Sequence, residues 1–313
     1  MSDVVVVEHL VKRFPVFVPG RAPRIAVDGL DMHVQSGGVT GLLGPNGSGK
    51  TTTVKILLGL MKPTSGHAAV FGRDAWRESF DIRSRVAYVP AERTVFDWMP
   101  VGKFLEGIAR LTKRWDAQYA DRLMRRWEID NRTKLGQLST GTRSKVLLIA
   151  ALAQRADILL LDEPTTGLDP AATDDVLGEL VGFAADGTTI VLLTHLIDAV
   201  DRICDRVTIM SSGRALLTSD LEDLRSSWAM IDVTGDSRPD DMHRWAEVTS
   251  ATKRDEYTRL LVHQQPAAVV DRLRLMGAEI ASVHPLTLRE VYLAITPRAA
   301  DDDSSDAEPN HLA

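Results

Sequence analysis

The chain carries one cysteine, Cys204, in 313 residues. No intrachain disulfide can form, which excludes a disulfide-stapled secreted fold and fits a reducing cytoplasm. Long apolar runs are missing as well. The longest, Val146–Ala153, falls far short of the roughly 18 residues of a spanning helix. The start, Met-Ser-Asp followed by Val4–Val7, reads as a strand and not as a secretory leader. No direct membrane insertion is expected, so any work at a membrane would go through a partner. An excess of basic residues is also lacking, since 37 Lys and Arg stand against 43 Asp and Glu. Four of the six net negative charges fall in the last seventeen residues, on Asp301, Asp302, Asp303, Asp306 and Glu308 against Arg298. The remainder is near neutral, which argues against a nucleic-acid footprint. The eight histidines show no metal-ligand spacing. At 44% hydrophobic and 26% charged the composition is that of an ordinary globular protein, and the length suggests about two domains.

What the chain does have is Gly44-Pro45-Asn46-Gly47-Ser48-Gly49-Lys50-Thr51, a complete G-x-x-x-x-G-K-[ST] phosphate loop. The apolar run Val39–Leu43 before it reads as a buried strand, and Thr51–Leu60 after it as a helix. The three glycines allow positive φ and close approach of backbone to a ligand. Successive N–H groups then form an anion nest backed by a helix N-terminus. Lys50 is placed to reach the β- and γ-phosphates, the Thr51 hydroxyl suits Mg²⁺, and Thr52 offers a further phosphate contact. The expected ligand is a nucleoside triphosphate.

Periodicity sketches the rest. Val4–Leu10 and Ile25–Val34 look like antiparallel strands around an exposed turn at Phe14–Arg24. Strands follow near His67–Phe71 and Arg85–Val89. Val101, Phe104, Leu105, Ile108 and Leu111 mark a helix by their 3.6-residue spacing. Tyr119, Leu123 and Trp127 support a second helix, and Ser144–Gln154 a third. Asp157–Leu161 and Thr188–Leu193 are continuous apolar or β-branched runs, as a doubly covered parallel sheet requires. Arg206–Ser211 reads as a last strand leading through Ser212-Gly213 to a helix at Ser219–Ser227. After Trp228 strands at Met230–Val233, Tyr257–Val262 and Glu279–His284 alternate with helices at Ala267–Met276 and Leu288–Ile295. The tail after Thr296 is rich in Asp, Ser and Ala and reads as disordered.

A second constellation narrows the chemistry. Ile158–Leu161 ends in Asp162-Glu163-Pro164. An Asp at a strand end beside a phosphate loop can hold Mg²⁺, and the next Glu can polarise an attacking water. Leu138-Ser139-Thr140-Gly141 opens a helix before that strand, Gly167-Leu168-Asp169-Pro170 follows it, and Thr194-His195 ends the next one. This ordered set, over about residues 4 to 228, resembles the nucleotide-binding subunits of ABC transporters.

That resemblance implies a fold and roles. The fold is α/β, a P-loop NTPase core of ABC type: a mixed sheet with an antiparallel β subdomain and a helical subdomain, plus a small C-terminal α+β domain. The implied divisions are a nucleotide-binding domain at 3–228 with its helical part at about 93–155, an accessory domain at 229–296, and an acidic tail at 297–313. Phe14, after Val11-Lys12-Arg13, looks like the aromatic that stacks on adenine. Gly44 to Thr52 look like Walker A. Asp162 looks like the Walker B Mg²⁺ carboxylate and Glu163 like the catalytic base. Asp169 resembles the D-loop aspartate and His195 the switch histidine at the γ-phosphate. Ser139 and Gly141 resemble the signature motif, which acts on ATP held by a second subunit. A Ser at a helix N-terminus suits that task, since capping and phosphate binding use one geometry. The implied ligands are ATP and Mg²⁺. The implied partners are a second copy or a paralogue, and a separate integral-membrane permease that holds the chain at the inner face of the membrane.

The sequence departs from the family at three places. Ala91 stands where the Q-loop usually has Gln, and Ala ligates nothing; Glu92 would reach Mg²⁺ if the loop shifted by one residue. Thr140 and Thr142 replace the usual Gly and Gln of the signature. Val95-Phe96-Asp97-Trp98-Met99-Pro100 is an apolar loop in the region that receives a coupling helix from the permease, a helix-in-groove arrangement. Lys113–Asp116 and Pro285–Leu293 resemble exporter-type subunits that pair with ABC-2-type permeases. Rival readings are a binding-only subunit, suggested by Ala91, and an ABC ATPase unconnected with transport. The second lacks support, for the chain has one core and no sustained heptads. A GTPase would need an Asn-Lys-x-Asp motif, and none is present.

Overall fold

The structure is a computed structural model and describes residues 2–15, 22–92, 96–234, 242, 244–254 and 256–296. The acidic tail, Val95 and most of the turn after Phe14 lie outside the described residues.

A six-stranded sheet forms the centre. It uses β3 (Val39–Leu43), β6 (Val86–Val89), β7 (Ile158–Asp162), β8 (Thr189–Thr194), β9 (Arg206–Ser211) and β10 (Arg214–Asp220), in the order β10-β9-β3-β8-β7-β6. Every neighbour pair is parallel except β9 with β10. All residues of β3, β7 and β8 are buried, which explains their unbroken apolar runs. A second sheet, antiparallel, combines β1 (Asp3–Phe14), β2 (Arg24–Gln35), β4 (Ser65–Val70) and β5 (Arg73–Asp74) in the order β2-β1-β4-β5.

One apolar cluster fills the space between these sheets. It joins Val5, Val7 and Leu10 to Leu42, Leu160 and Val191 through Val54 and Ile56 of α1 (Lys50–Leu57). The short α2 (Ser79–Arg83) adds Ile82. The other face of the central sheet is covered by α3 (Val101–Leu111), α4 (Ala117–Arg126), α5 (Thr140–Leu152), α6 (Pro170–Ala185) and α7 (Ile197–Ile203). The α3 stripe read from the sequence is observed up to its last member, with Val101 and Leu105 buried and Phe104 and Ile108 packed against the core, while Leu111 at the helix end is exposed.

The expected helix at Ser219–Ser227 is present as α8 (Leu221–Ser227), and between it and Ser212-Gly213 lies a strand, β10, that the sequence reading did not include. Ser212 and Gly213 both take positive φ, at 49° and 82°. Two such residues make the tight turn whose twist matches a hairpin. Arg214–Asp220 then pairs back along β9 with alternating exposure.

A third sheet is wholly antiparallel. It contains β11 (Trp228–Thr234), β12 (Val248–Lys253), β13 (Tyr257–His263) and β14 (Glu279–Pro285) in the order β12-β13-β11-β14. Its own core includes Ile231, Val233, Leu260 and Val262 with Val269 and Leu273 of α9 (Pro266–Leu275). The last helix, α10 (Leu288–Ile295), leaves this sheet and buries Leu288 and Val291 in the main core. Arg289 on it donates to Asp198 of α7 at 2.9 Å. The C-terminal segment is thus packed against the helix that follows His195.

Candidate nucleotide site

The phosphate loop connects β3 to α1, as the motif demands. Its glycines do different work. Gly47 and Gly49 take positive φ, at 80° and 106°. A Cβ at Gly47 would meet nothing within 4 Å, so the bare backbone borders open space there. Gly44 does not use positive φ. It is glycine because a Cβ would sit 2.3 Å from the Met210 carbonyl of β9.

Lys50 is buried, and its ammonium donates to the loop's own carbonyls, Gly44 at 2.7 Å and Pro45 at 3.1 Å. Burial lowers its pKa, while the charges of Glu163 and Asp162 act in the opposite sense. The Ser48 hydroxyl is buried and has no hydrogen-bond partner. A buried hydroxyl left unpaired costs free energy until a ligand oxygen meets it. A cavity of about 170 Å³ lies over the loop, lined by Asn46 to Thr52 together with Arg24, Ala26, Ala91, Asp162 and Glu163.

The two carboxylates at the end of β7 are held differently. Asp162 is buried and accepts a 2.6 Å hydrogen bond from the Thr51 hydroxyl. Burial raises its pKa, the Thr51 hydroxyl lowers it, and the neighbouring Glu163 charge raises it further. Glu163 follows in left-handed backbone, φ 51°. Its Oε1 meets His195 Nδ1 at 2.7 Å and accepts from the His195 amide at 3.0 Å. Its Oε2 accepts from the Thr194 hydroxyl at 3.1 Å. The end of β8 therefore clamps Glu163 through three contacts. The sequence indicated Glu163 and His195 separately; their pairing and the Thr194 clamp appear only when β7 and β8 lie side by side.

Other candidates lie outside the cavity. Ser139 is exposed at the N-cap of α5, accepting from the Thr142 amide at 3.1 Å and meeting the Thr142 hydroxyl at 2.9 Å. Thr142, which departs from the family signature, thus ties Ser139 in place. Gly141 is buried, and a Cβ there would lie 2.6 Å from the Gly167 carbonyl. Asp169 caps α6, accepting from the Ala172 amide at 2.8 Å. Phe14 does not line the cavity. It ends β1 directly opposite Arg24, which does. Arg24 and Ala26 were missed in the sequence, because only the β1–β2 ladder brings them over the loop.

Ala91, not Glu92, borders the cavity. Glu92 is exposed, and its charge is felt at Tyr88, whose phenol is raised mainly by burial, then by Asp162 and by Glu92. The shift of register that would bring Glu92 to the site is absent. Phe96 and Trp98 are 60% and 67% exposed, and their rings lie 6.0 Å apart.

The donors fit a nucleoside triphosphate and a hard divalent cation. Thr51 and Asp162 supply oxygen ligands, Lys50 supplies positive charge, and the unpaired Ser48 hydroxyl faces no protein partner. Among the described residues no three His, Cys, Asp or Glu converge as a metal cage. A cation here would need ligands from the nucleotide itself.

Comparison with known proteins agrees with this chemistry. Residues 27–166 match the family model described as ABC transporter. The chain is 32% identical to the daunorubicin resistance ATP-binding protein DrrA3 of Streptomyces coeruleorubidus, over 87% of this chain and 91% of that protein. It is 32% identical to the Nod factor export ATP-binding protein I of Burkholderia thailandensis, over 89% and 94% respectively. Among solved structures, an ATP-binding subunit of an ABC transporter superposes with TM-score 0.62 at 26% identity, covering 71% of this chain and 92% of that one. A dimeric bacterial ABC transporter cassette superposes with TM-score 0.63 at 23% identity, over 69% and 98%, a likeness of fold. Among the described residues no helix is long and apolar enough to cross a membrane.

Proposed function

This chain belongs to the ABC transporter family, and from that premise we propose that it pairs with a second subunit around two ATP molecules. It is an ATP-hydrolysing subunit that powers a separate membrane permease, and the names of its relatives, a drug-resistance protein and a Nod factor exporter, point to export. In the proposed assembly each ATP lies between Gly44–Thr52 of one copy and Ser139 and Gly141 of the other. The carrying observation is the incompleteness of the site. The cavity holds the loop, Asp162 and Glu163, while Ser139 stands exposed at a helix N-terminus outside it. Helix N-termini favour anions, so Ser139 is suited to a phosphate that its own loop does not hold.

The chemistry follows from the residues. Lys50 and the loop amides bind the β- and γ-phosphates, and the Ser48 hydroxyl gains a partner there. Thr51 and Asp162 would hold Mg²⁺, which neutralises phosphate charge when bound. Glu163 accepts a proton from water as the water oxygen bonds to the γ-phosphorus and the bond to the β–γ bridging oxygen breaks, giving ADP and phosphate. Thr194 and His195 fix the Glu163 carboxylate for that transfer. Arg24 borders the base end, with Phe14 paired opposite it on β1, Asp169 faces the partner copy, and Phe96 and Trp98 offer the permease an apolar contact. The chain lies at the inner membrane face through that contact.

Glu163→Gln tests the reading. Turnover is expected to fall by about 10²–10⁴-fold, the range for loss of a general base. With ATP the variant is expected to elute as a dimer on size exclusion. A monomer at every ATP concentration would count against the sandwich.

A further inference from the structure

We propose that Arg155 is a positioning residue for hydrolysis: it clamps the far ends of α4, α5 and α6, and so fixes Ser139 and Asp169 relative to each other. This rests on the two-copy site proposed above. Arg155 lies just beyond the C-terminus of α5, in left-handed backbone with φ 46°. Glycine is the residue that costs least in that conformation. Arginine here accepts backbone strain and supplies a planar, five-donor fork.

The fork is engaged on one edge by a carboxylate and on its face by rings. Its Nε and Nη2 both donate to Asp116 Oδ2, at 3.0 and 2.7 Å. Asp116 is the N-cap of α4, and its own amide donates to the Ala153 carbonyl at the end of α5, at 2.8 Å. The guanidinium also lies over two rings, Tyr119 of α4 at 4.5 Å and Phe183 of α6 at 4.9 Å. Those rings meet edge to face at 5.2 Å. The Tyr119 hydroxyl donates to Glu179 of α6 at 2.5 Å, and Arg126 of α4 pairs with Glu179 and Asp175. One side chain, just after α5, therefore touches both α4 and α6 at the end remote from the nucleotide.

At the near end, α5 and the segment entering α6 touch again. Gly141 leaves room for the Gly167 carbonyl, which a Cβ would approach to 2.6 Å. The segment just after α5 thus touches α6 at one end, and the first turn of α5 touches the loop entering α6 at the other; the N-caps of the two helices are Ser139 and Asp169. The lever between the ends is long. The 13 residues of α5 span about 20 Å, so a 5° tilt at Arg155 moves Ser139 by about 1.7 Å. A misplacement of about 1 Å can cost about 100-fold in rate.

The test uses the full chain. Arg155→Gly keeps a residue at ease in left-handed backbone and removes only the fork. Nucleotide affinity of the dilute chain is expected within about twofold of wild type, because no residue of the loop is touched. The kcat is expected to fall about tenfold or more. In a Glu163→Gln background, ATP-dependent dimerisation is expected to need higher protein concentration. Asp116→Asn, which keeps an N-cap residue and removes the ion pair, is expected to shift kcat in the same direction by less, and stands in should Arg155→Gly fold poorly. Dimerisation by Glu163→Gln that neither change alters, with wild-type kcat in both, overturns the positioning role alone. Failure of Glu163→Gln to dimerise while Arg155 is intact overturns the two-copy site, and this proposal with it.

Discussion

Alanine at Gly141 offers a sharp test of why the signature segment is built as it is. The added Cβ would lie 2.6 Å from the Gly167 carbonyl oxygen and 3.2 Å from Leu168 Cδ2. Ordinary contact requires the two backbones to part by roughly 0.6 Å or more, where carbon–oxygen repulsion gives way to attraction. Overpacking of this kind costs about 1–3 kcal/mol. Alanine is better than glycine inside a helix by about 0.8–1 kcal/mol. The net loss of stability is then about 0–2 kcal/mol, a few degrees of Tm at most for a chain of this size. Turnover should suffer more. The displaced contact joins the end of α5 that carries Ser139 to the turn that carries Asp169, so kcat is expected to fall roughly 10- to 100-fold. Steady-state ATPase assays and thermal unfolding on the same preparations give both numbers. Gly178→Ala is the control: it lies in α6, a Cβ there meets nothing within 4 Å, and a gain of about 0.4–1 kcal/mol with unchanged kcat is expected. Wild-type turnover with a raised Tm for Gly141→Ala would refute the reasoning.

Two further outcomes follow from the site and its surroundings. Burial raises the Asp162 pKa in the fold, so ionised Asp162 costs stability above the ordinary carboxylate range, and that cost fades as the pH falls. Asp162→Asn is therefore expected to raise the Tm of the nucleotide-free chain near neutral pH, with a gain that shrinks toward about pH 4, while Mg²⁺-dependent hydrolysis is lost; a gap that widens on acidification would contradict the assignment. Trp98→Asp puts a charge on an exposed aromatic pair and is expected to abolish co-purification with the permease while leaving ATP affinity unchanged, and retained assembly would exclude that loop as the contact.

The parts most legible in the sequence were those where one short segment states its own geometry. The phosphate loop is such a case, since β3, loop and α1 are consecutive and its glycines sit at fixed offsets. Continuous apolar runs marked β7 and β8 because both faces of those strands are covered. The Ser212-Gly213 turn was also legible and so was the helix at Ser219–Ser227, but the strand between them, β10, is short and half exposed and carries no clear apolar run. Helix α6 was harder to see, since its exposed face carries two glycines, Gly178 and Gly182, which lower its helix propensity. Arg24 could not be placed from sequence at all. Its position over the loop depends on the ladder between β1 and β2, whose partners are ten residues apart at Phe14 and Arg24. The Arg155 cluster was silent for the same reason, because its members come from positions 116, 119, 155, 179 and 183.

The two halves of the proposed site differ in what they cost the isolated chain, and the difference implies an order of assembly. The loop half is unsatisfied by itself. Ser48 has a buried hydroxyl without a partner, a cost of about 1–3 kcal/mol. Glu163 sits in left-handed backbone, a further cost of about 1–3 kcal/mol. A triphosphate can relieve the first at once and can use the geometry that the second maintains. The Ser139 half is already satisfied, because its hydroxyl caps α5 through Thr142. Because it only accepts from the Thr142 amide, its O–H can still donate to a phosphate, at the cost of at most the contact with the Thr142 hydroxyl. ATP should therefore fill the loop of one copy first, and Ser139 of the other should engage it second and more weakly. A weak second contact is what a cycling motor requires. On the proposed two-copy site, loss of the γ-phosphate would remove the Ser139 contact, and the pair would open while the loop still holds ADP.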